Sequence, residues 1–325
     1  MRATAVAHPN IALVKYWGKQ DSRRNLPAVG SLSITLDGLH TRTRVVFDDA
    51  LDADAVTLDG EAGGPAGERV AACLDRFRVR TGVEARARVE SASNFPVAAG
   101  LASSASGFAA LVAAADAAAG TGLDREALAR LAGAASGSAA RSLYGGFVRL
   151  NPPAAGEADI SLTPLAAPDD WPLRVIIAVP DPGPKAVGST AAMLASEATS
   201  PYYGAWVGGQ EADLDEATAA VAGRDFERLA AVSEYSCLKM HALTLSSRPG
   251  VLYWKPATLA CLQAVRDLRA AGHGAFFTVD AGPQVKAVCL PDAAEAAAEA
   301  LAAVPGVTGL LRAGLGGAPE ITESG

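Results

Sequence analysis

The chain has 325 residues, of which 50% are hydrophobic and 19% are charged, enough for one large domain or two joined domains with a substantial core. Its net charge of −7 disfavours a general nucleic-acid-binding protein, since such proteins are usually basic. Every apolar run of about 20 residues is interrupted by charges or turn residues, which disfavours a membrane span.

The first residues lack the charged, apolar and cleavage regions of a secretory signal. The four cysteines, Cys73, Cys237, Cys261 and Cys289, are scattered and form no CxxC pair. In a chain of this size they indicate buried thiols in a reducing compartment rather than a disulfide framework. We therefore expect a cytoplasmic protein.

Alternating apolar and polar residues predict strands in RATAVAH, in TRTRVVF and at 86–92. A stretch of small residues then leads into a long Ala-rich helix, for which Gly120 is a plausible stop. A second helix is predicted at 124–135, and a strand in GGFVRL.

In the second half, LRVIIAVP predicts a buried strand and STAAMLASEA a helix. Helices are expected within 210–242 and 256–272. The segments HGAFFTVD and QVKAVCL predict paired strands around the turn AGP, and GVTGLLRAGLGG predicts a last strand with a Gly-rich tail. Because strands and helices follow no regular βαβ rhythm, the pattern indicates an α+β fold. The DPGPK stretch marks a soft boundary near 165–185.

The segment at 96–106, PVAAGLASSAS, is rich in small residues between a predicted strand and a predicted helix. Small residues let backbone N–H groups approach an anion, and the helix N-terminus favours negative charge. The hydroxyls of Ser103, Ser104 and Ser106 can bind phosphate oxygens or Mg²⁺. The segment is neither a Walker loop nor GxGxxG. A helix start that packs closely on a sheet, with serines as caps, explains the same residues.

A second hydroxyl-rich run begins with Ser136, Gly137 and Ser138 and includes Arg141, whose planar fork matches phosphate or carboxylate oxygens. Most such runs are simple turns. Near the N-terminus, Lys15 and Lys19 are four residues apart, so in an extended segment they share one face. One of them could instead extend to solvent.

Asp280 follows an apolar strand and precedes a Gly-Pro turn, where a carboxylate can point into a cleft. An Asx-turn carboxylate bonded to its own backbone is the alternative. The four histidines have no metal-ligand spacing, GLASSAS is not GxSxG, and His241 is interpreted as a core residue rather than a catalyst.

Taken together, HPNIALVKYWGK, LPAVGSLSITL, SNFPVAAGLASSASGFAAL, SGSAARSLYGGF, KAVGSTAAM, TSPYY, KMHAL and FFTVDAGPQVK resemble the diphosphomevalonate decarboxylase family of the GHMP kinase superfamily. The resemblance covers nearly the whole chain, in the expected order. It implies a two-lobed α+β GHMP kinase fold with a deep cleft. The N-terminal half, 1–180, would be ribosomal-protein-S5-like and carry the phosphate loop, and the C-terminal half, 181–325, would be ferredoxin-like.

The resemblance also implies a reaction and residue roles. ATP, with Mg²⁺, would phosphorylate the 3-hydroxyl of mevalonate 5-diphosphate, and loss of phosphate and CO₂ would give isopentenyl diphosphate. Asp280, Ser189, Arg141 and Lys15 match catalytic positions. The remaining matches are the substrate-binding residues Tyr16, Lys19, Ser136, Gly137, Ser138 and again Arg141, and the nucleotide-binding residues Ala99, Gly100, Leu101, Ala102, Ser103, Ser104, Ser106 and Lys185, with Ser104 also the candidate Mg²⁺ ligand. A homodimer is expected, with neither nucleic-acid nor membrane partners.

The sequence departs from the family at several places. Ala28-Val29-Gly30 stand where Asn often precedes the SLSxTL run, Val97 and Gln284 replace a common Thr and Asn, and Arg149-Leu150 stand for Glu-Trp. The first departure leaves a mevalonate 5-phosphate decarboxylase as an alternative. A GHMP kinase without decarboxylation and a non-catalytic ligand-binding relative are the others.

Overall fold

The structure is a computed structural model that describes residues 1–95, 103–154, 157–181, 183 and 186–325. In the first half the strands are β1 (Arg2–Ala7), β2 (Asn10–Val14), β3 (Lys19–Asp21), β4 (Leu26–Pro27), β5 (Ser31–Thr35), β6 (Thr41–Asp48), β7 (Ala55–Leu58), β8 (Glu61–Ala62), β9 (Arg86–Ser93), β10 (Phe147–Asn151) and β11 (Ser161–Ala166). In the second half they are β12 (Arg174–Val179), β13 (Ala275–Val279), β14 (Val285–Cys289), β15 (Gly309–Ala313) and β16 (Glu320–Ser324).

The helices of the described ranges are α1 (Gly64–Thr81), α2 (Ser103–Ala119), α3 (Arg125–Ala135), α4 (Ser189–Thr199), α5 (Tyr203–Gly223), α6 (Phe226–Leu245), α7 (Pro256–Ala270) and α8 (Ala294–Ala302). A short 3₁₀ helix at Ala139–Leu143 joins α3 to β10. Helices and antiparallel sheets are mixed, so the predicted α+β class is confirmed.

The first sheet has the order β16-β1-β6-β9-β7-β8, and its pairs are antiparallel except β7 with β9. In β6, TRTRVVFD alternates buried and more exposed side chains, as a strand with one covered face does. The Ala-rich helix α2 covers this sheet, and its small side chains let it pack closely on β1 and β6. It ends before Gly120, which has a φ of +64°.

Two further sheets have four strands each and are antiparallel, with the orders β11-β10-β5-β2 and β13-β14-β12-β15, while β3 and β4 form a separate pair. The second four-stranded sheet has the order and the helix-containing connections of a split βαβ, or ferredoxin-like, unit. One hydrophobic core joins the two sheets: Ile34 on β5 and Ile177 on β12 belong to the same buried cluster. This shared core fixes the two halves against each other and so positions the cavity between them.

Several elements differ from the predictions, among them β7, β8 and β11, which were not predicted. No element was predicted at α1, whose buried side chains Cys73, Leu74 and Phe77 are outnumbered by arginines. The helical region predicted at 210–242 starts earlier, at Tyr203, and is divided at Arg224, where φ is +51°. The Gly-rich tail contains β16, whose exposed, mostly polar residues carry little hydrophobic signal, because pairing with β1 holds them in place.

The predicted boundary between 1–180 and 181–325 stays a prediction. Two strands cross it: β12 pairs with β14 and β15, and β16 returns to pair with β1. All four cysteines are buried and unpaired, as expected. Within the described ranges, no helix has the length and apolar character needed to cross a bilayer.

Candidate active site

A cavity of about 670 Å³ is lined by residues from both halves of the chain. Its volume lies in the range of small-molecule sites. It brings together these predicted site residues: Lys15, Tyr16, Lys19, Ser103, Ser104, Ser136, Gly137, Ser138, Arg141, Ser189 and Asp280. The predicted residues Ala99, Gly100, Leu101, Ala102 and Lys185 lie outside the described residues.

Asp280 directly follows β13, where the buried strand AFFTV delivers its carboxylate to the cavity. Oδ1 accepts a hydrogen bond from Lys15 Nζ at 2.6 Å, and Oδ2 lies 3.2 Å from Lys286 Nζ. Both lysine side chains are 1% exposed, whereas Asp280 is 25% exposed. Burial alone would raise the pKa of Asp280, but the two ammonium groups outweigh it and hold that pKa well below its usual range. The carboxylate is therefore ionised.

The backbone of Val279, just before Asp280, is held by α6 on both its N–H and its carbonyl. The Val279 N–H donates to Cys237 Sγ at 3.2 Å, and the Val279 carbonyl lies 3.2 Å from His241 Nε2. These two side chains are one helical turn apart, so they face the same strand. Burial lowers the pKa of His241 to about 3, so its ring is neutral. His241 is a positioning residue in the core, as interpreted from the sequence.

Arg141 lies in the 3₁₀ helix and is 3% exposed. Its Nε donates to Asn10 Oδ1 at 3.0 Å and its Nη1 to Ser31 Oγ at 2.7 Å. Burial lowers the pKa of Arg141 to about 10, while Asp280 and Tyr16 act in the opposite direction. The guanidinium therefore stays charged beside neutral partners, an arrangement that suits an anionic ligand.

Tyr16 and Gly137 are in close contact across the cavity wall. A Cβ added at Gly137 would lie 2.8 Å from the Tyr16 hydroxyl, so a larger residue here would displace the Tyr16 side chain. The Tyr16 hydroxyl is buried and has no hydrogen-bond partner among the described residues. Burial raises its pKa to about 12, so it is a neutral donor for a ligand oxygen.

Lys19 donates to Asn25 Oδ1 at 2.6 Å, at the same side of the cavity as Arg69. Burial and, secondarily, Arg69 lower the pKa of Lys19. Lys19 and Arg69 repel each other in a partly buried site, so an anionic group bound between them would stabilise both charges.

The two predicted anion-binding segments meet at their hydroxyls. Ser104 Oγ, in the first turn of α2, lies 3.2 Å from Ser136 Oγ, which lies 3.4 Å from Ser138 Oγ. Ser189 begins α4 and lines the cavity from the other half.

Ser106 is a correction to the sequence analysis. Its side chain is fully buried, and its hydroxyl lies 2.7 Å from Thr41 Oγ1 and donates to the Ser103 carbonyl at 3.2 Å. It points from the inner face of α2 toward β6, so it ties the helix to the sheet instead of facing the cavity.

The chain's described side chains include no cluster of three or more His, Cys, Asp or Glu that could enclose a metal ion. The Ser104 hydroxyl instead fits an Mg²⁺ ion that arrives with nucleotide phosphates, because Mg²⁺ keeps waters and few protein ligands in such sites. The N-terminus of α2 favours the phosphates themselves.

Three functional residues were missed. Asn10 accepts from Arg141 and donates to Ser142 Oγ at 2.7 Å, Ser31 orients the same guanidinium, and Lys286 pairs with Asp280. Asn10 lies in HPNIALVKYWGK, where a polar side chain in an apolar run could have been predicted to have a buried polar partner. Lys286 was detectable from the hairpin, since the pairing of β13 and β14 brings it opposite Thr278, two residues before Asp280.

The fold and this cavity define an α+β protein of the GHMP kinase type, with a cleft lined by cationic and hydroxyl side chains. The family model for the diphosphomevalonate decarboxylase-like N-terminal domain matches residues 7–161, and that for the mevalonate 5-diphosphate decarboxylase C-terminal domain matches residues 175–308. The chain belongs to the diphosphomevalonate decarboxylase family.

Individual relatives agree with this placement. The crystal structure of mevalonate diphosphate decarboxylase from Staphylococcus aureus has a TM-score of 0.93 at 37% identity, covering 99% of this chain and 98% of that one. A structure of MDDEF in complex with MVAPP, AMPPCP and magnesium has a TM-score of 0.90 at 36% identity and covers 99% of each chain. Phosphomevalonate decarboxylase of Haloferax volcanii is 34% identical over 88% of this chain and 87% of its own.

Proposed function

We propose that this protein catalyses the ATP-dependent decarboxylation of mevalonate 5-diphosphate. The observation that carries the proposal is the ionised Asp280, held by two buried lysines in the same cavity as the buried, positively charged Arg141. The Asp280 carboxylate can act on the hydroxyl of a 3-hydroxy acid, and the Arg141 guanidinium can bind its carboxylate.

The reaction has two steps. The oxygen of the substrate's 3-hydroxyl attacks the γ-phosphorus of ATP, ADP leaves, and the hydroxyl proton passes to Asp280 or to solvent. The C3–O bond then breaks and phosphate departs with its electron pair. The C1–C2 bond electrons form the new C2–C3 double bond as CO₂ is released, giving isopentenyl diphosphate.

Asp280 serves both steps as an anion; if it takes the hydroxyl proton in the first step, it releases that proton to solvent before the second. It orients or deprotonates the 3-hydroxyl in the first, and it stabilises the positive charge that develops at C3 in the second. Arg141 holds the substrate carboxylate, and Ser189 faces the same space. Lys15 contacts Asp280 and lines the cavity, so we assign its charge to offset that of the transferred phosphoryl group.

The substrate phosphates are assigned to the side of the cavity with Tyr16, Lys19 and Ser136–Ser138. The unpartnered hydroxyl of Tyr16, the ammonium of Lys19 and the serine hydroxyls are donors that phosphate oxygens accept from. The nucleotide phosphates and Mg²⁺ are assigned to the start of α2, at Ser103 and Ser104. When bound, Mg²⁺ neutralises charge on the phosphates of ATP.

The test is to incubate the pure protein with MgATP and mevalonate 5-diphosphate and to follow ADP, phosphate and isopentenyl diphosphate together. Equal amounts of all three are expected. ADP without phosphate or isopentenyl diphosphate would instead identify a kinase. Asp280→Asn should lower kcat by about 100- to 10,000-fold, and full turnover by that variant would remove Asp280 from the mechanism.

A second candidate substrate is mevalonate 5-phosphate. The Haloferax volcanii relative of similar identity carries that substrate's name, and Ala28 and Val29 depart from the family pattern beside the cavity residues. Comparing kcat/KM for the two substrates decides between them. The cations Lys19 and Arg69 favour the diphosphate, because a second phosphate group would bring further negative charge to them.

We propose also that the protein is a cytoplasmic homodimer and that its lobes divide near residue 180. The family resemblance supports these assignments. If the protein is a homodimer, light scattering on the purified protein would give a mass of twice the chain's 32.9 kDa.

A further inference from the structure

Asp280 has two lysine counter-ions, although one would neutralise it. Lys15 Nζ bonds Oδ1 at 2.6 Å and Lys286 Nζ lies 3.2 Å from Oδ2, so each carboxylate oxygen faces a different ammonium group. Both lysine side chains are 1% exposed. Burying a second cation beside one anion costs desolvation free energy. We therefore ask what role the second lysine has.

The two lysines come from different parts of the fold. Lys15 directly follows β2, in the N-terminal half. Lys286 lies on β14 in the C-terminal sheet, and it shares its strand face with Val288 of the core that joins the halves. The tight pairing of β13 with β14 sets Lys286 opposite Thr278, so its position relative to Asp280 is fixed by sheet register.

Only one of these two ammonium groups faces the ligand space. Lys15 lines the cavity together with Asp280, whereas Lys286 is absent from the described cavity lining. Lys15 Nζ also donates to the Ala12 carbonyl at 2.8 Å, so the third of its three N–H donors can serve an anion in the cavity. A phosphate that attracts Lys15 therefore draws charge away from Asp280 and leaves Lys286 in place.

We propose that Lys286 is the permanent counter-ion of Asp280, a positioning residue that keeps this carboxylate ionised and aligned while Lys15 binds the phosphoryl group. This inference rests on the proposed function, because it assigns Lys286 a part in that reaction. Lys15 acts on the substrates and Lys286 acts through Asp280.

Among the residues that the structure describes, no other neighbour can replace Lys286 between about pH 5 and about pH 9. From α6, Cys237 and His241 face the carboxylate: burial raises the pKa of the Cys237 thiol and lowers that of His241 to about 3, so both are neutral. From the 3₁₀ helix, Arg141 is charged but is reserved for the substrate carboxylate. Without Lys286, a phosphate at Lys15 would leave burial as the dominant influence on Asp280, which favours the neutral acid.

The test is the pH dependence of kcat for Lys286→Met, measured with saturating MgATP and mevalonate 5-diphosphate. We expect the acid limb of kcat to move upward by about one to three pH units, with kcat approaching the wild-type value at alkaline pH. KM for both substrates should stay within about twofold of wild type, since Lys286 does not touch them. Val288→Ala is the matched control on the same strand face: it should lower stability without moving the acid limb.

Lys286→Gln keeps a hydrogen-bond donor without charge, and it provides a second variant if Lys286→Met does not fold. It should move the acid limb in the same direction. An unchanged kcat profile in both variants, or a loss of kcat by the same factor at every pH, would overturn the counter-ion role. A normal profile for Lys286→Gln alone would also overturn it, because hydrogen bonding rather than charge would then suffice. Wild-type protein measured in the same assay distinguishes the two proposals. If the wild type shows no turnover, the proposed function is overturned; if only the variants behave unexpectedly, the role of Lys286 is overturned.

Discussion

The hydroxyl oxygens of Ser104 and Ser136 lie 3.2 Å apart, so the first turn of α2 meets the segment that follows α3. One segment is assigned to nucleotide phosphates and the other to the substrate. Phosphoryl transfer needs donor and acceptor groups to approach within about 3–3.5 Å, and a shared border between the two sites provides that proximity.

We expect Ser104→Ala to affect activity and Ser106→Ala to affect stability, although both serines lie on α2. Ser104→Ala should lower kcat/KM for MgATP by about 10-fold, since a hydroxyl that faces the cavity is lost. Its free energy of unfolding should change little, because the contact with Ser136 Oγ that it loses is long, at 3.2 Å, and only partly buried. Steady-state kinetics at varied MgATP, with denaturant unfolding alongside, makes the measurement.

Ser106→Ala is the matched control. It removes the buried hydroxyl that contacts Thr41, so the free energy of unfolding should fall by about 1 kcal/mol while KM for MgATP stays normal. A rise in KM for MgATP in Ser106→Ala alone would restore Ser106 to the nucleotide site and contradict the assignment.

Tyr16→Phe should damage activity without damaging the fold. The Tyr16 hydroxyl is buried and unpartnered among the described residues, so its removal should leave the free energy of unfolding unchanged or raise it by up to about 1 kcal/mol. The kcat/KM for the phosphorylated substrate should fall by about 10-fold, because that substrate loses a donor. A stability loss with normal kinetics would assign the hydroxyl a structural partner instead.

Much of the site was predictable because its residues sit at recognisable junctions. Asp280 follows an apolar strand and precedes a Gly-Pro turn, and the strands on either side of that turn pair as expected. The hydroxyl-rich segments at Ser104 and Ser136 were found from small residues next to a helix. In each case the local sequence contains the physical reason for the position.

Lys286 was not found, for an equally physical reason. In QVKAVCL a lysine between apolar residues is expected on the outer face of a half-exposed strand. The sheet is covered on both faces, so every residue of β14 is buried and alternation carries no information about exposure. Asn10 and Ser31 likewise occur in strands that are buried throughout, where their role depends on a distant Arg141.

His241 should make stability depend on pH. Its folded pKa is lowered to about 3, below its usual value of 6.5, so the folded state resists protonation while the unfolded state takes up a proton. This contribution is absent above about pH 6.5, and it destabilises the protein progressively as pH falls toward 3, by up to about 1.4 kcal/mol per pH unit. Urea unfolding at several pH values above and below 6 would measure the slope.

His241→Gln keeps a donor for the Val279 carbonyl but does not titrate, so it should flatten that slope. His273→Gln is the control, because His273 is exposed and its replacement should leave the slope as in the wild type. Identical slopes for wild type and His241→Gln would show that the buried ring does not govern acid sensitivity.

Arg141→Lys should separate charge from geometry. The guanidinium uses Nε for Asn10 and Nη1 for Ser31, which directs its remaining N–H groups in one fixed orientation. Lysine keeps the charge but offers a point donor without the planar fork, so kcat/KM for the phosphorylated substrate should fall by about 10- to 100-fold. KM for MgATP should change little. Asn10→Ala leaves Arg141 in place but removes one of its hydrogen-bond partners, so kcat/KM for the phosphorylated substrate should fall by a smaller factor. An equal fall in kcat/KM for MgATP in either variant would place Arg141 at the nucleotide instead of the substrate carboxylate.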